Sequence, residues 1–422
     1  MFLYIGIVLF SLYFLPRILK HLREQYRIHQ MCRQLPSPKA LPLLGSALDV
    51  MGGPHLIMDF LVKQSNIIRE QGHQVMIFNL MGVINAIPLN GEALKPLLDS
   101  TVEIDKGVDY DFIRPWLGNG LILSTGEKWR HRRRLISPAF QSSMLEDYIY
   151  VMDKQARIFL EIVQGKVNEK PDFYKLLKRL ALDIICETAM GKELNSQRDS
   201  SHPYVKALDS YSALSAKYMF NPLLWISPVW NYLHGKEYKW CLDTLTGFTK
   251  QVSDERRAAI EQGDVTFEDG HDTTSTQMSW ILWCLATNPE VQEKAYEEIH
   301  QIFGDSDRSC TTEDTKEMHY LDRVMKESQR IFPALPAASR KLQEDFELGG
   351  YTLPRGMGIY IAPHILHHND QKFAQLEIKV VISWALRKFS FSTDKDMLSN
   401  KQDTELILKP HDGVHLEIKS RH

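Results

Sequence analysis

A mainly α-helical body with a small β-sheet region, carried behind an N-terminal membrane anchor, is the fold class this sequence predicts. Three observations point to it. Met1 to Leu15, MFLYIGIVLFSLYFL, holds no charged side chain and runs through Pro16 into a basic stretch. From Asn90 onward, apolar residues recur mostly at helical spacing. Two short strand-like runs, Val75–Leu80 and Val83–Pro88, turn at Gly82 and begin a small sheet.

The first 20 residues make the anchor, with Ile18 and Leu19 extending the apolar run to spanning length. Arg17, Lys20, Arg23 and Arg27 follow the apolar run and do not precede it, which leaves the body in the cytosol. No small-residue cleavage site follows, so the segment reads as a retained signal-anchor of the endoplasmic reticulum membrane. A buried N-terminal helix is the alternative. Residues 21–45 form a basic and proline-rich linker, ending in the stiff stretch LPSPKALPLLG. Residues 46–422 form the body.

A chain of 422 residues can bury a large core. A net charge of -3 gives no reason to expect nucleic acid as a partner. The cysteines Cys32, Cys186, Cys241, Cys284 and Cys310 are odd in number and contain no CxxC pair. That pattern argues for a reducing compartment and against a cysteine zinc site.

Helices are expected over Pro54–Glu70, Gly91–Leu98, Glu127–Ser137, Met144–Val163, Asp172–Met190, Tyr204–Lys217 and Glu237–Gln262. Thr266–Ala286, Asn288–Phe303, Thr312–Ile331 and Gln371–Lys388 continue the series. Strands are expected at Ala338–Leu342 and Gly358–Ile361, with two or three more in the tail.

The chain is organised around Thr266–Ala286, TFEDGHDTTSTQMSWILWCLA. Its second half is apolar nearly all round, as suits a helix in the middle of a large domain. Its first half is polar and contains Gly270, which lets a planar ligand approach the backbone. The alternative is a simple N-cap at Asp269 or Asp272.

Trp129 and Arg133, four apart, share one face of a helix rich in arginine. An indole N–H and a guanidinium suit an anionic group; a solvated basic face is the bland reading. Glu327 and Arg330 have the spacing of an intrahelical ion pair. Pro333 and Pro336 then break the helix and lead to Arg340 on a strand.

Together these residues resemble the cytochrome P-450 superfamily. Trp129-x-x-x-Arg133, Gly270-x-Asp272-Thr273-Thr274, Glu327-x-x-Arg330 and Pro336…Arg340 come in its order. WLGNGLILSTGEKWRHRRRLISPAF, GHDTTS and KFAQLEIKVVISWALRKF look like its family 4 branch, the microsomal fatty-acid hydroxylase type. The resemblance covers almost the whole chain and implies a haem-thiolate monooxygenase. It would hydroxylate fatty acids or similar lipophilic substrates with dioxygen and electrons from NADPH-cytochrome reductase. It gives Trp129, Arg133 and Arg340 the haem propionates, so these three should converge on one region. It gives Gly270 the opening over the haem, Asp272 and Thr273 the delivery of protons, and Glu327 with Arg330 the fixing of the core. In this branch a glutamate before the glycine can esterify haem; here Asp269 takes that place and Glu268 is one residue removed.

Two departures stand beside the resemblance. The haem-binding loop with its axial cysteine is missing where Asp370 meets Gln371, and no cysteine follows Cys310. A second gap lies near residues 263–265. The fold is therefore read as an incomplete member, a truncated isoform, and a haem-free, inactive form is the favoured alternative. His364, His367 and His368 have a usable metal-ligand spacing, but a polar turn is the preferred reading. His271-Asp272 also mimics the HD pair of phosphohydrolases, a remote rival without further ligands.

Overall fold

The computed structural model describes residues 23–24, 26–41, 44–50, 54–136, 142–199, 201–260, 271–335, 337–363, 372–404 and 407–421. The anchor predicted over residues 1–20 lies outside them, as do Glu268, Gly270 and the three histidines 364, 367 and 368. Among the described residues no helix is long and apolar enough to cross a membrane.

Helices dominate the body, with small sheets at its edge. The longer helices are α1 (Pro54–Glu70), α2 (Gly91–Asp99), α3 (Gly126–Ile136), α4 (Ser142–Gln164), α5 (Phe173–Met190) and α6 (Pro203–Phe220). They continue with α7 (Ser227–Ile260), α8 (His271–Thr287), α9 (Pro289–Phe303), α10 (Thr312–Glu317), α11 (His319–Ile331) and α12 (Lys372–Lys388). Local chemistry sets many of their ends. The Asn90 side chain accepts from Ala93 N at 2.8 Å and starts α2. Asp172 starts α5 in the same way, and Gly191 closes it in the left-handed conformation at φ 61°.

Three expectations need correction. The single helix expected over Thr312–Ile331 is two, α10 and α11, parted at Met318. Thr311 and Asp314 form a capping box that starts α10. Glu298 of α9 then starts α11 by accepting from Tyr320 N at 2.6 Å and Leu321 N at 2.9 Å. Helix α7 begins at Ser227, well before the expected Glu237, because Trp230 is buried among aromatic rings and Gly235 does not stop the turn. Among the described residues the tail holds four short strands: Phe389–Ser392, Gln402–Thr404, Leu408–Pro410 and Glu417–Ser420.

Helix α8 runs through the main core, as its composition requires. Met278, Trp280, Ile281, Leu282 and Leu285 are wholly buried, and Trp283 nearly so. It packs on α5, α11 and α12. The ring of Trp280 stacks on Phe332 with centroids 4.1 Å apart. Both indoles find backbone acceptors: Trp280 Nε1 donates to Leu408 O at 3.2 Å and Trp283 Nε1 to Met397 O at 2.9 Å. A second apolar cluster lies between α5, α6 and α7.

The sheet that concerns the site has four strands. We label them β1 (Val75–Leu80), β2 (Val83–Pro88), β3 (Ala338–Lys341) and, after the hairpin β4 (Phe346–Leu348) and β5 (Tyr351–Leu353), β6 (Gly358–Ile361). The order is β1-β2-β6-β3, with β2 and β6 parallel and the other pairs antiparallel. Gly349 and Gly350, both at positive φ, turn the β4–β5 hairpin, which the sequence reading passed over. In β3, Arg340 stands opposite Ile359.

Candidate functional site

The arginine-rich helix α3 presents most of its basic face to solvent. Trp129 is half-buried and Arg133 is exposed. Arg130 pairs with Glu127 at 2.5 Å and also donates to Thr101 O at 2.8 Å. Arg132 donates to the carbonyl of Asn119. These bonds tie α3 to both ends of the connecting stretch 100–125.

Arg340 reaches that same stretch from the sheet. Its Nη1 donates to Leu97 O at 2.5 Å and Glu103 O at 3.0 Å. Burial lowers its pKa, and the nearby Glu103 carboxylate partly opposes that. Lys341 N donates to Asp105 O at 2.9 Å, and Lys106 forms an antiparallel bridge with Arg340. Residues 105–107 thus extend the sheet edge toward α3.

Between that edge and α3 lies a cavity of about 370 Å³. Lys106, Arg114, Lys128, Asp105, Ser124 and Thr125 line it. Arg340's backbone partner Lys106 and Trp129's neighbour Lys128 therefore meet at one cavity. Trp129, Arg133 and Arg340 do not line it. Sequence reading missed Lys106 and Arg114, although both sit in the charged and aromatic run DKGVDYDFIRPW.

Glu327 and Arg330 do form the expected pair on α11, bidentate at 2.6 and 2.7 Å. Their side chains are 56% and 53% exposed, so the pair itself is worth only about 0–1 kcal/mol. Asp272 and Thr273 lie in the first turn of α8, Thr273 half-buried. The side chain of Asp272 lies outside the described residues. Thr274 and Ser275 are buried beside them.

A haem-thiolate centre needs a cysteine poised as a thiolate. All five cysteines are described, and all are free thiols. Burial pushes the thiols of Cys32, Cys241 and Cys284 up to about 11 and that of Cys310 up to about 12. Cys284 Sγ donates to Ser328 Oγ at 3.8 Å, and Cys310 Sγ to Thr311 O at 3.6 Å. Cys186 is buried in the second core cluster. Arg387 and Arg308 pull Cys310 the other way, but burial outweighs them. Among the described residues no group of histidine, cysteine and carboxylate side chains could hold a metal ion.

Comparison with known proteins supplies the family. The family model for Cytochrome P450 matches residues 35–269 and 263–373. The human protein named Cytochrome P450 4V2 is 29% identical over 492 aligned positions, covering 96% of this chain and 93% of that one. The mouse protein of the same name is 30% identical over 481 positions, covering 93% and 91%. Cytochrome P450 4c21 of Blattella germanica is 30% identical over 496 positions, covering 97% of each. Each alignment is longer than the 422-residue chain, so each opens gaps within it. With the helical body, small sheet and ordered motifs already in place, this chain belongs to the cytochrome P450 family of haem monooxygenases, in its family 4 branch.

Proposed function

We propose that this chain is a membrane-anchored family 4 body that does not assemble a haem-thiolate centre and so does not hydroxylate substrate. The observation that carries the reading is the state of its cysteines. No cysteine follows Cys310, and the haem-binding loop that would carry one is missing where Asp370 meets Gln371. The residues present do not fit the group that the family implies. The family match breaks into two pieces around residues 263–269 and stops at 373, beside the two gaps read in the sequence. That pattern supports a truncated isoform.

The test is the absorption spectrum of the full chain, reconstituted with haem, reduced and exposed to carbon monoxide. The expected spectrum lacks the thiolate-type Soret band. The band should appear once a family-type loop with its cysteine is inserted between Asp370 and Gln371. A thiolate band from the unaltered chain sinks the reading.

The second reading is the monooxygenase itself, favoured by the near full-length likeness to family 4 relatives. Its haem would rest on Trp129, Arg133, Arg340, Gly270 and Glu268. Asp272 and Thr273 would hold and pass protons, and Glu327 and Arg330 would fix the core. Its partners would be NADPH-cytochrome reductase and a fatty acid or similar lipophilic substrate.

Both readings place the chain at the endoplasmic reticulum membrane, anchored by residues 1–20 with the body cytosolic. The support is the uncharged run followed by Arg17, Lys20 and Arg23. Alkaline carbonate extraction should leave the full chain in the membrane pellet; release into the supernatant defeats this.

A further inference from the structure

We propose that Asn119 is a site of self-modification, where the next peptide nitrogen displaces the side-chain amide and the fold accelerates the step. The only reagent is water. The inference goes beyond both readings of function, because it does not depend on whether haem binds.

The chain holds two Asn–Gly pairs, Asn90–Gly91 and Asn119–Gly120. In such a pair the amide carbon lies within reach of the following nitrogen, and glycine puts no Cβ in the way. Hydroxide first takes the proton from Gly120 N. The nitrogen then attacks Asn119 Cγ, so that the N–Cγ bond forms and the Cγ–Nδ2 bond breaks. Nδ2 leaves as ammonia with a proton from water, which restores the hydroxide. Water then opens the cyclic imide. Cleavage at Cγ leaves aspartate, and cleavage at the main-chain carbonyl carbon leaves isoaspartate. Nothing is oxidised or reduced.

The fold places a guanidinium on each half of that reaction. Arg132 donates to Asn119 O. That oxygen belongs to the peptide whose nitrogen attacks, so it shares the negative charge once Gly120 N has lost its proton. Arg114 Nη1 donates to Asn119 Oδ1 at 3.0 Å. That oxygen takes the charge as Cγ becomes tetrahedral. Donors already fixed where charge develops lower a barrier without reorganising. Arg114 is itself held, with Nε and Nη2 on Asp111 Oδ1 at 3.1 and 3.0 Å. Asn119 is exposed, so water reaches it. The opposing contact is the hydrogen bond from Gly120 N to Leu117 O, which at 3.2 Å is at the long end of the usual range.

Asn90 is the internal reference. Its Oδ1 caps α2 by accepting from the uncharged Ala93 N at 2.8 Å, and the helix holds Gly91 in its first turn. Modification at Asn119 has consequences that the same change at a free loop would lack. Aspartate would bring a full charge to the place where Arg114 already donates. Isoaspartate would reroute the main chain through Cγ and so rebuild the carbonyl on which Arg132 rests. Helix α3 is thereby loosened from the stretch before it as the protein ages.

The experiment is timed peptide mapping of the full chain in mildly alkaline buffer, folded in detergent and unfolded in urea. Trypsin puts the two sites in separate peptides, residues 70–106 and 107–128, and fragment masses locate the change. The expected result is loss of the Asn119 amide about tenfold or more faster in the folded chain than in the unfolded one, with no such gain at Asn90. Arg114→Gln and Arg132→Gln each remove one charge-assisted hydrogen bond. Each should slow the folded rate about tenfold and leave the unfolded rate unchanged. Arg134→Gln, exposed on the same helix, should change neither. Arg132 is part-exposed, so Arg132→Gln remains informative if Arg114→Gln fails to fold. A folded rate at Asn119 equal to or below the unfolded rate overturns the proposal, because the Asn–Gly pair alone would then set the chemistry. So does a gain that Asn90 shares equally, or a folded rate that Arg132→Gln leaves unchanged.

Discussion

Replacing Asp153 with alanine will destabilise the body by about 3–5 kcal/mol, the cost of breaking a buried charged network by removing one member. Asp153 lies on α4, and its side chain is 7% exposed. Its carboxylate accepts from Trp384 Nε1 at 2.6 Å, Ser309 Oγ at 2.8 Å and Arg157 Nε at 2.9 Å. It also accepts from Cys310 N at 3.3 Å. One carboxylate thus joins α4, α12 and the loop before α10. The indole it orients has two cations over its ring: Arg387 lies 3.9 Å and Arg157 4.3 Å from the Trp384 ring centre. Alanine would leave the indole N–H and the Cys310 N–H buried without their acceptor. Arg157 is part-exposed and would return to water, so its share of the loss is small.

The pH dependence has a definite sign. Burial alone would raise the Asp153 pKa, but the hydrogen bonds from Arg157, Trp384 and Ser309 outweigh it and hold it below the usual carboxylate value. A depressed folded pKa gives stability that is complete above the unfolded value of 3.8 and is lost as pH falls through the folded one. Urea unfolding of the full chain and of Asp153→Ala, at pH 7 and under acid, measures both effects. A loss below about 1 kcal/mol at pH 7 would remove the network from any account of stability. Asp153→Asn should lose less, since it keeps one acceptor oxygen in place.

What the sequence made legible follows from how local each determinant is. Helix α5 could be read almost to its ends because Asp172 and Gly191, its caps, adjoin it in the chain. The break between α10 and α11 could not, because the carboxylate that starts α11 belongs to Glu298 on another helix. The burial of α8 was readable from its all-round apolar composition. The surroundings of Arg340 were not: its bonds go to carbonyls of Leu97 and Glu103, and a carbonyl has no signature in a sequence. Lys106 was passed over for the same reason. Its meaning comes from the edge of β3 beside it and the α3 terminus opposite, both distant in the chain or unmarked by motif. A motif such as Glu327-x-x-Arg330 announces a pair, and the pair is there; how far solvent reaches it depends on what covers α11.

Glu377 should show the opposite sign from Asp153: removing its charge should strengthen the fold above neutral pH. It lies on α12 within the apolar run LEIKVVISWAL, among residues of the main core. It is 1% exposed, and its Oε1 has no hydrogen-bond partner. A lone carboxyl in such a place costs more when ionised than when protonated. Burial accordingly pushes its pKa up from 4.5 to about 8. Between those values the folded chain keeps a proton that the unfolded chain releases, so stability falls as pH rises through this window and levels off above it. Each tenfold difference in proton affinity is about 1.4 kcal/mol, which puts the full cost on the order of 5 kcal/mol. Glu377→Gln keeps the shape of the protonated carboxyl and cannot ionise. Its gain over the parent chain should be near zero at pH 4 and reach several kcal/mol at pH 9. The quantity to measure is the difference in urea unfolding free energy between the two chains across that range, which cancels titrations they share. A difference that stays flat with pH would mean that Glu377 is charged in the folded chain and has found a partner or water.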